Sequence, residues 1–262
     1  MNTIYTDSHG QRLIAVVSAA ICLAMAPTLH AADNKDPRAV KIAESMMKAM
    51  GGQDAWKTAR YLRFDFKVTD GGNVRVDRSH MLDRSTGKYR LQGKTKEGKT
   101  SVVLMNMADK TGSAFVDGKK LEGSEAKKAI DDAYGAYIND YYWLAMPWKW
   151  MDTGVNLKYL GKRKAGSEDC DVVQLTFGQV GLTPGDRYQA FVSPQSNLMT
   201  HWEYTLQSGN KGSWDWEYTT TKGIMLAKNH TNEKGTSINM GDPKFLDSVD
   251  AAVFSDPAKP MP

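Results

Sequence analysis

The chain has 262 residues, a formal net charge of +4 and two cysteines, Cys22 and Cys170. Its charged residues are interspersed without a basic block, so nucleic acid is a poor candidate partner. The apolar run 13–26 follows Arg12 and precedes small residues ending at Ala31 and Ala32. This is the pattern of a secretory signal peptide, and the run is too short to span a membrane. The sequence predicts a periplasmic or secreted protein that is cleaved near Ala31–Ala32.

The mature chain that this cleavage leaves is long enough for one large domain. We expect a signal peptide over residues 1–32, a single domain over 33–255 and a Pro-rich tail over 256–262. Only Cys170 remains after cleavage. An intrachain disulfide is then impossible, and the fold must rest on its apolar core.

The predicted elements begin with a helix over residues 37–50, which Gly51 ends. A short helical turn covers 55–60. Alternating patterns then predict strands at 61–69, 73–84, 88–94, 101–107 and 113–116. An amphipathic helix over 124–145 interrupts them, with apolar residues at 126, 130, 133, 134, 137, 138, 141 and 145. Strands resume at 156–163, 171–177, 186–193, 198–207, 213–220, 224–233 and 237–240.

Two tryptophan-rich stretches, 201–206 and 213–218, alternate aromatic or apolar residues with polar ones. That period is typical of strands with two unlike faces, and the turn-forming residues between them predict an antiparallel hairpin. A hairpin centred on Asn210 places Trp202 opposite Tyr218. Extended over four strands, this register gives two rows of side chains. The aromatic row is Tyr188, Trp202, Tyr218 and Ala227, and the charged row is Arg187, Glu203, Glu217 and Lys228.

The charged row has two interpretations. Glu203 beside Glu217 could form a carboxylate pair for acid–base chemistry. Because Arg187 and Lys228 flank this pair, a solvated outer face with compensated charge is favoured. In the same register His230 faces Asp215, which predicts an outer-face pair rather than a metal ligand set.

The aromatic row implies an inner face that two helices are too few to cover, which favours an apolar cavity and an apolar ligand. The expected cavity wall is Phe64, Phe66, Tyr188, Trp202, Tyr204, Trp214, Trp216 and Tyr218. The aromatic end of the inserted helix and the segment after it form a lid over that wall or, equally, a helix end pinned in the core. The candidate lid residues are Tyr137, Tyr141, Trp143 and Trp148.

Catalytic signals are weak in this chain. No Gly-rich phosphate loop precedes a helix and no nucleophile occupies a recognisable elbow. The three histidines of the mature chain, His80, His201 and His230, are not spaced like metal ligands. We therefore expect no enzymatic activity, no cofactor and no metal.

An alternative function is a secreted carbohydrate-active or carbohydrate-binding β-sandwich. It would use Trp202, Trp214 and Trp216 as sugar platforms and Glu203 with Glu217 as acids. This function requires the tryptophans and the acids to share one groove, whereas alternation places them on opposite faces. A further alternative is an envelope-structural β domain with a vestigial cavity.

Several segments resemble the periplasmic lipoprotein-carrier superfamily (LolA/LolB-like), in its outer-membrane lipoprotein-sorting-like branch. They are residues 49–56 (AMGGQDAW), 60–64 (RYLRF), 154–161 (GVNLKYLG), 180–188 and 202–204. The resemblance implies a mainly β fold, an unclosed antiparallel half-barrel of about a dozen strands with helices as a lid. It also implies a lipid or lipoprotein acyl chain as ligand and permits transient contact with a membrane surface. No position matches the carrier's cavity arginine, so no functional residue is transferred.

Overall fold

The computed structural model describes residues 34–178, 180 and 182–262, and the predicted signal peptide lies outside them. Three helices are described, α1 Pro37–Ala49, α2 Gln53–Thr58 and α3 Gly123–Ala145, with 3₁₀ turns at Met146–Lys149 and Ala251–Phe254. The first six strands are β1 Tyr61–Asp70, β2 Asn73–Asp83, β3 Lys88–Lys94, β4 Thr100–Asn106, β5 Gly112–Val116 and β6 Lys119–Lys120. The others are β7 Val155–Ala165, β8 Glu168–Phe177, β9 Arg187–Val192, β10 Met199–Thr205, β11 Lys211–Thr221, β12 Ile224–Thr231, β13 Ser237–Asn239 and β14 Lys244–Leu246.

The strands form one open antiparallel sheet in the order β6-β5-β4-β3-β2-β1-β13-β12-β11-β10-β9-β8-β7, with β14 beside the start of β1. It consists of two meanders that meet where β13 pairs with β1. The outermost strands, β6 and β7, do not pair with each other. The predicted mainly β, unclosed half-barrel with an N-terminal and an inserted helix is therefore confirmed. The strands that the sequence missed, β6 and β14, have only two and three residues, too few to show a period.

Helix α1 begins at a capped N-terminus and packs on the concave face. The Asp36 carboxylate accepts from the backbone N–H groups of Arg38 and Ala39, and Pro37 occupies the first turn. Its buried side chains join the main core. Gly51 follows with φ +115°, and a Cβ there would lie 2.1 Å from the carbonyl oxygen of Gly223. Only glycine allows this approach between the end of α1 and the start of β12.

Helix α3 connects β6 to β7 across the concave face. Its buried residues are Ala133, Ala136, Asp140, Trp143, Leu144 and Ala145. One part of the helix packs on a small core beneath it, between β2 and β5, and its C-terminal end belongs to the main core. The predicted apolar stripe contained Ala133 and Ala145 but omitted Asp140 and Trp143. The helix therefore buries a carboxylate that the apolar pattern did not indicate.

The β10–β11 hairpin differs from the prediction in register. Trp202 is opposite Trp214 and Tyr204 is opposite Gly212, so the expected pairing of Trp202 with Tyr218 is wrong. The reason is a tighter turn, in which Leu206 N–H donates to the Asn210 carbonyl and closes a three-residue loop. The error is an even number of residues on each strand, so the tryptophans keep the face that was predicted.

Two β-bulges make the β9–β10 and β11–β12 registers differ from the predicted ones. Val192 pairs with Met199 instead of Leu198, and an irregularity between Met199 and His201 adds one more residue, so Tyr188 lies opposite Tyr204 instead of Trp202. The predicted pairing of Tyr218 with Ala227 is confirmed, but a bulge between Glu217 and Tyr218 follows it. Beyond this bulge His230 lies opposite Trp216, and it is 0% exposed. The expected outer-face pair of His230 with Asp215 is therefore wrong, because the extra residue of the bulge moves the His230 side chain to the other face of the sheet.

The C-terminal segment covers the outer face of β3 through a buried arginine. Arg90 is 1% exposed, and its guanidinium donates to the backbone carbonyls of Val253, Asp256 and Pro257 at 2.9–3.1 Å. Buried carbonyls left without such a donor cost free energy. Arg90 thereby holds the end of the chain against the sheet.

The substitution Arg90→Met should lower the free energy of unfolding by about 2–4 kcal/mol, because it leaves these carbonyls without their donor. Urea unfolding measures this loss, and limited proteolysis should cut the C-terminal segment faster in the variant. Arg75→Met is the control, since Arg75 is 54% exposed and pairs with Asp70 only at the surface. Equal stability of the two variants would contradict the role of Arg90.

Candidate functional site

The most distinctive site lies where the end of α3 meets β10, β11 and β12. The Trp143 side chain enters a group formed by Trp202, Trp214, Trp216 and His230, which we call the aromatic socket. Its ring centroid lies 5.0 Å from that of Trp202, 5.1 Å from Trp214, 6.1 Å from Trp216 and 5.0 Å from His230. Trp143 is 3% exposed, so it plugs the socket.

The socket follows directly from strand geometry. Trp214 and Trp216 are two residues apart on β11 and therefore share a face. Trp202 is the cross-strand partner of Trp214, and His230 is the partner of Trp216. Paired positions on adjacent strands are close enough for large rings to touch. Three strands thus present four rings toward one helix residue.

Polar atoms of the socket lack partners. Among the described residues, nothing accepts a hydrogen bond from Nε1 of Trp202 or of Trp216. Burial lowers the pKa of His230 to about 3, and the Trp143 backbone opposes this shift only in part. A buried, unpaired donor costs about 1–3 kcal/mol. The socket is thus complete in its packing and incomplete in its hydrogen bonds.

A buried ion pair fixes α3 one turn before Trp143. The Arg78 guanidinium donates to both oxygens of the Asp140 carboxylate at 2.5 and 2.7 Å. His80 Nε2 lies 2.9 Å from Asp140 Oδ2, and His80 Nδ1 lies 2.8 Å from the Tyr89 hydroxyl. Asp140, His80 and Tyr89 are all 0% exposed. We call Arg78, His80 and Asp140 the helix anchor.

The anchor sets the protonation of its members. Burial raises the pKa of Asp140, but the hydrogen bonds and positive charge of His80 and Arg78 outweigh burial and bring it below its ordinary value. Burial lowers the pKa of His80 despite the neighbouring carboxylate. An ionised carboxylate held by Arg78 is therefore the resting state of this contact.

The predicted cavity-wall residues all lie on the concave face and are closed over by the protein's own side chains. Phe64 stacks on His80 at 4.2 Å, and Tyr188 stacks on Trp202 at 4.8 Å. The Tyr218 hydroxyl donates to the Met199 carbonyl at 2.7 Å. The wall residues that are buried are Phe64, Phe66, Tyr188, Trp202, Trp214 and Trp216, while Tyr204 and Tyr218 are partly buried. Helix α1, the C-terminal end of α3 and the segment after it all belong to the core that covers this wall.

The predicted lid residues fall into three groups along the cover of the sheet. Tyr137 and Tyr141 stack on each other at 5.1 Å and pack over the small core beneath α3. Trp143 fills the socket. Trp148 stacks on Trp56 at 4.9 Å, and its indole N–H donates to the Met225 carbonyl. Trp148 is thus tied to β12, whereas Trp143 is held by ring packing.

The acids of the alternative function lie on the outer face. The Glu203 carboxylate accepts from Arg163 at 2.6 Å, and Glu217 accepts from Asn229 at 2.8 Å. A polar hollow of about 580 Å³ beside Glu203 is lined by Arg163, Arg187 and Lys211 but by none of the socket tryptophans. The tryptophans and the acids therefore do not share a groove, as the alternative function would require.

Other features of the described residues carry little chemistry. No helix among residues 34–178, 180 and 182–262 is long and apolar enough to cross a membrane. Within the same part of the chain no three metal-binding side chains cluster. Cys170 is buried, and burial raises the pKa of its thiol, which disfavours the reactive thiolate.

Sequence reasoning found the tryptophans but missed His230, Arg78, His80 and Asp140. A signal for the anchor was present, because Arg78 and His80 are two residues apart on one strand face. Asp140 also falls among buried positions of α3. No comparable signal existed for His230, since a bulge decides its side.

Comparison with known proteins gives a likeness of fold. No family model matches the chain, and no curated protein matches it. Among solved structures, a LolA superfamily protein from Nitrosomonas europaea is 12% identical, with a TM-score of 0.48, 82% of this chain covered and 96% of that chain. A DUF1329 family protein from Desulfovibrio piger is 11% identical, with a TM-score of 0.45 and 82% and 96% covered. A structure described as an outer membrane lipoprotein-sorting protein domain, from Vibrio parahaemolyticus, is 10% identical, with a TM-score of 0.44 and 83% and 96% covered.

The superfamily that the sequence motifs resemble is thus represented among the similar structures. With TM-scores of 0.44–0.48 and identities of 10–12%, this likeness carries no argument about ligand or activity. The function has to be inferred from the residues of this chain.

Removing the anchor carboxylate should destabilise the protein strongly. Asp140→Asn leaves Arg78 without its buried counter-charge, so the free energy of unfolding should fall by about 3 kcal/mol or more. Urea unfolding at pH 7 measures this change. Asp131→Asn on the same helix is the matched control, because its pair with Lys127 is exposed and should contribute less than about 0.5 kcal/mol. A similar small effect of both substitutions would contradict the anchor.

The buried His230 should make stability depend on pH. The unfolded chain binds a proton near pH 6.5 that the folded chain, with a pKa of about 3, does not accept. Between pH 6 and pH 4 this histidine should therefore cost about 1.4 kcal/mol of stability for each unit that the pH falls. Burial also lowers the pKa of His80, which adds a slope of the same sign.

The substitution His230→Phe should lower the dependence of unfolding free energy on pH by the contribution of one proton, about 1.4 kcal/mol per pH unit. It should keep the ring packing. Urea unfolding at several pH values from 4 to 8 compares it with the parent chain. Trp216→Phe keeps both buried histidines and should keep the full slope. An unchanged slope in His230→Phe would show that this histidine is protonated in the folded protein.

Proposed function

We propose that this chain is an exported, non-enzymatic binding or carrier protein for an apolar ligand such as a lipid or a lipoprotein acyl chain. The ligand would lie on the concave face after the end of α3 moves away. The observation that carries the proposal is the Trp143 plug. One helix residue covers a socket of three tryptophans and a histidine, so its withdrawal would expose a continuous aromatic wall.

In this proposal the closed arrangement is the form that the protein takes before a ligand binds. Withdrawal of α3 would break the anchor and the packing of Trp143, so the open form is a minor state. The apparent affinity for a ligand is reduced by the fraction of molecules that are open. This cover would keep the wall from binding other apolar surfaces until a suitable ligand displaces it.

The energies permit such a carrier. Burying a sixteen-carbon chain gains about 13 kcal/mol at about 0.8 kcal/mol per methylene. Association costs of about 4–15 kcal/mol and the cost of opening α3 oppose this gain. The result is a micromolar or weaker affinity, which suits a protein that has to release its ligand.

Export is proposed from the sequence, because residues 1–32 have the order of a signal peptide. The aqueous space of an envelope is also where an apolar molecule needs a protein to cover it. Contact with a membrane surface would then be transient and would serve loading or release.

Native mass spectrometry of the mature protein tests this function after incubation with vesicles of phosphatidylethanolamine and phosphatidylglycerol. We expect one bound lipid for each protein chain. At lipid concentrations that leave the parent chain mostly free, Asp140→Asn should increase the occupied fraction about tenfold, because it weakens the closed form. Asp131→Asn should bind like the parent chain. Absence of lipid from the parent chain and from Asp140→Asn, both shown to be folded, would overturn the proposal.

A further inference from the structure

The aromatic socket contains hydrogen-bond donors that its own occupant does not use. Trp202 and Trp216 are 1% and 4% exposed. Among the described residues nothing accepts from either indole N–H. The two rings lie 5.4 Å apart, and both pack against Trp143. Two rings that pack against Trp143 therefore each carry a buried, unpaired donor.

We propose that the socket recognises the carbonyl oxygen of an ester or amide group on the apolar ligand. This group takes the place of the Trp143 indole and accepts hydrogen bonds from the indole N–H groups of Trp202 and Trp216. The inference rests on the proposed function and deepens it, because it assigns the polar part of the ligand to a defined site.

The chemistry of the socket favours a neutral acceptor. An indole N–H only donates, so a ligand group without an acceptor leaves both donors unpaired. None of the socket residues carries a cation, and the guanidinium of Arg78 is engaged with Asp140. A carboxylate would therefore be buried without a counter-ion, which is costly. Ester and amide carbonyls accept two hydrogen bonds without a charge.

His230 is compatible with the same ligand. Its buried ring remains neutral at pH 7 and packs edge-on to Trp216 at 4.2 Å. A neutral imidazole offers one donor and one acceptor. It can therefore add a hydrogen bond to the carbonyl of an ester or to either group of an amide.

A carbonyl group would also allow the ligand to compete with Trp143. A ligand displaces a resident side chain only through interactions that the side chain does not make. Trp143 matches the ring packing of the socket but leaves the two donors unpaired. A carbonyl supplies the missing acceptor, so the gain appears only when the ligand is bound.

The test uses the variant Trp143→Ala, in which the plug is absent, and two neutral probes of equal chain length, methyl decanoate and dodecane. Their affinities are measured by displacement of N-phenyl-1-naphthylamine. Adding Trp202→Phe and Trp216→Phe keeps two rings and removes both donors. We expect the affinity for methyl decanoate to fall about tenfold and that for dodecane to change by less than about twofold.

Trp214→Phe in the same background is the matched control. Trp214 also packs on Trp143, and its nitrogen is not among the buried unpaired atoms. This substitution should change both affinities equally. If the double replacement does not fold, as judged by near-UV circular dichroism, Trp216→Phe alone should lower the ester affinity about threefold.

The outcomes separate this inference from the proposed function. Binding of both probes, with equal losses when the donors are removed, would overturn carbonyl recognition and leave an apolar carrier. Failure of every folded variant to bind either probe, together with lipid adducts on the parent chain, would place the ligand elsewhere and overturn the inference alone. Absence of both probe binding and lipid adducts would overturn both.

Discussion

The connection between the two edges of the open sheet governs the rest of this structure. The chain leaves the first meander at β6 and has to enter the second at β7, the opposite edge. Helix α3 makes this passage across the concave face, and its 23 residues reach about 34 Å at 1.5 Å per residue. The element that connects the meanders therefore also covers part of the apolar face, together with α1. Movement of the connection would uncover that part of the face.

The anchor determines where this cover sits. A buried ion pair contributes little net stability, because desolvation offsets attraction, but it penalises any position of the helix that separates the charges. Asp140 is held by Arg78 from β2 and lies beside His80. Trp143 follows it by three residues, which is nearly one helical turn. The contact with the first meander thereby aims Trp143 at the socket of the second.

The sequence predicted the sheet face on which a side chain lies better than the residue opposite it on the next strand. Alternation assigned Trp202, Trp214 and Trp216 to the concave side, and that assignment survived a wrong hairpin register because the error was even. Bulges are not visible in such a pattern, so His230 was placed on the outer face although it lies under Trp143. Asp140 was missed for another reason. An acid in an amphipathic helix is expected at the surface unless its partner, here Arg78, is considered with it.

A closed concave face could be read as an ordinary core, and the polar atoms of the socket argue against that reading. Buried donors in a core that has evolved only for packing are usually paired. The indoles of Trp202 and Trp216 pack as well as any core residue, yet their N–H groups have no acceptor among the described residues. Phenylalanine would fill much of the same space without that penalty. The proposed exchange of Trp143 for a ligand carbonyl would give these two N–H groups the acceptor that they lack in the closed form.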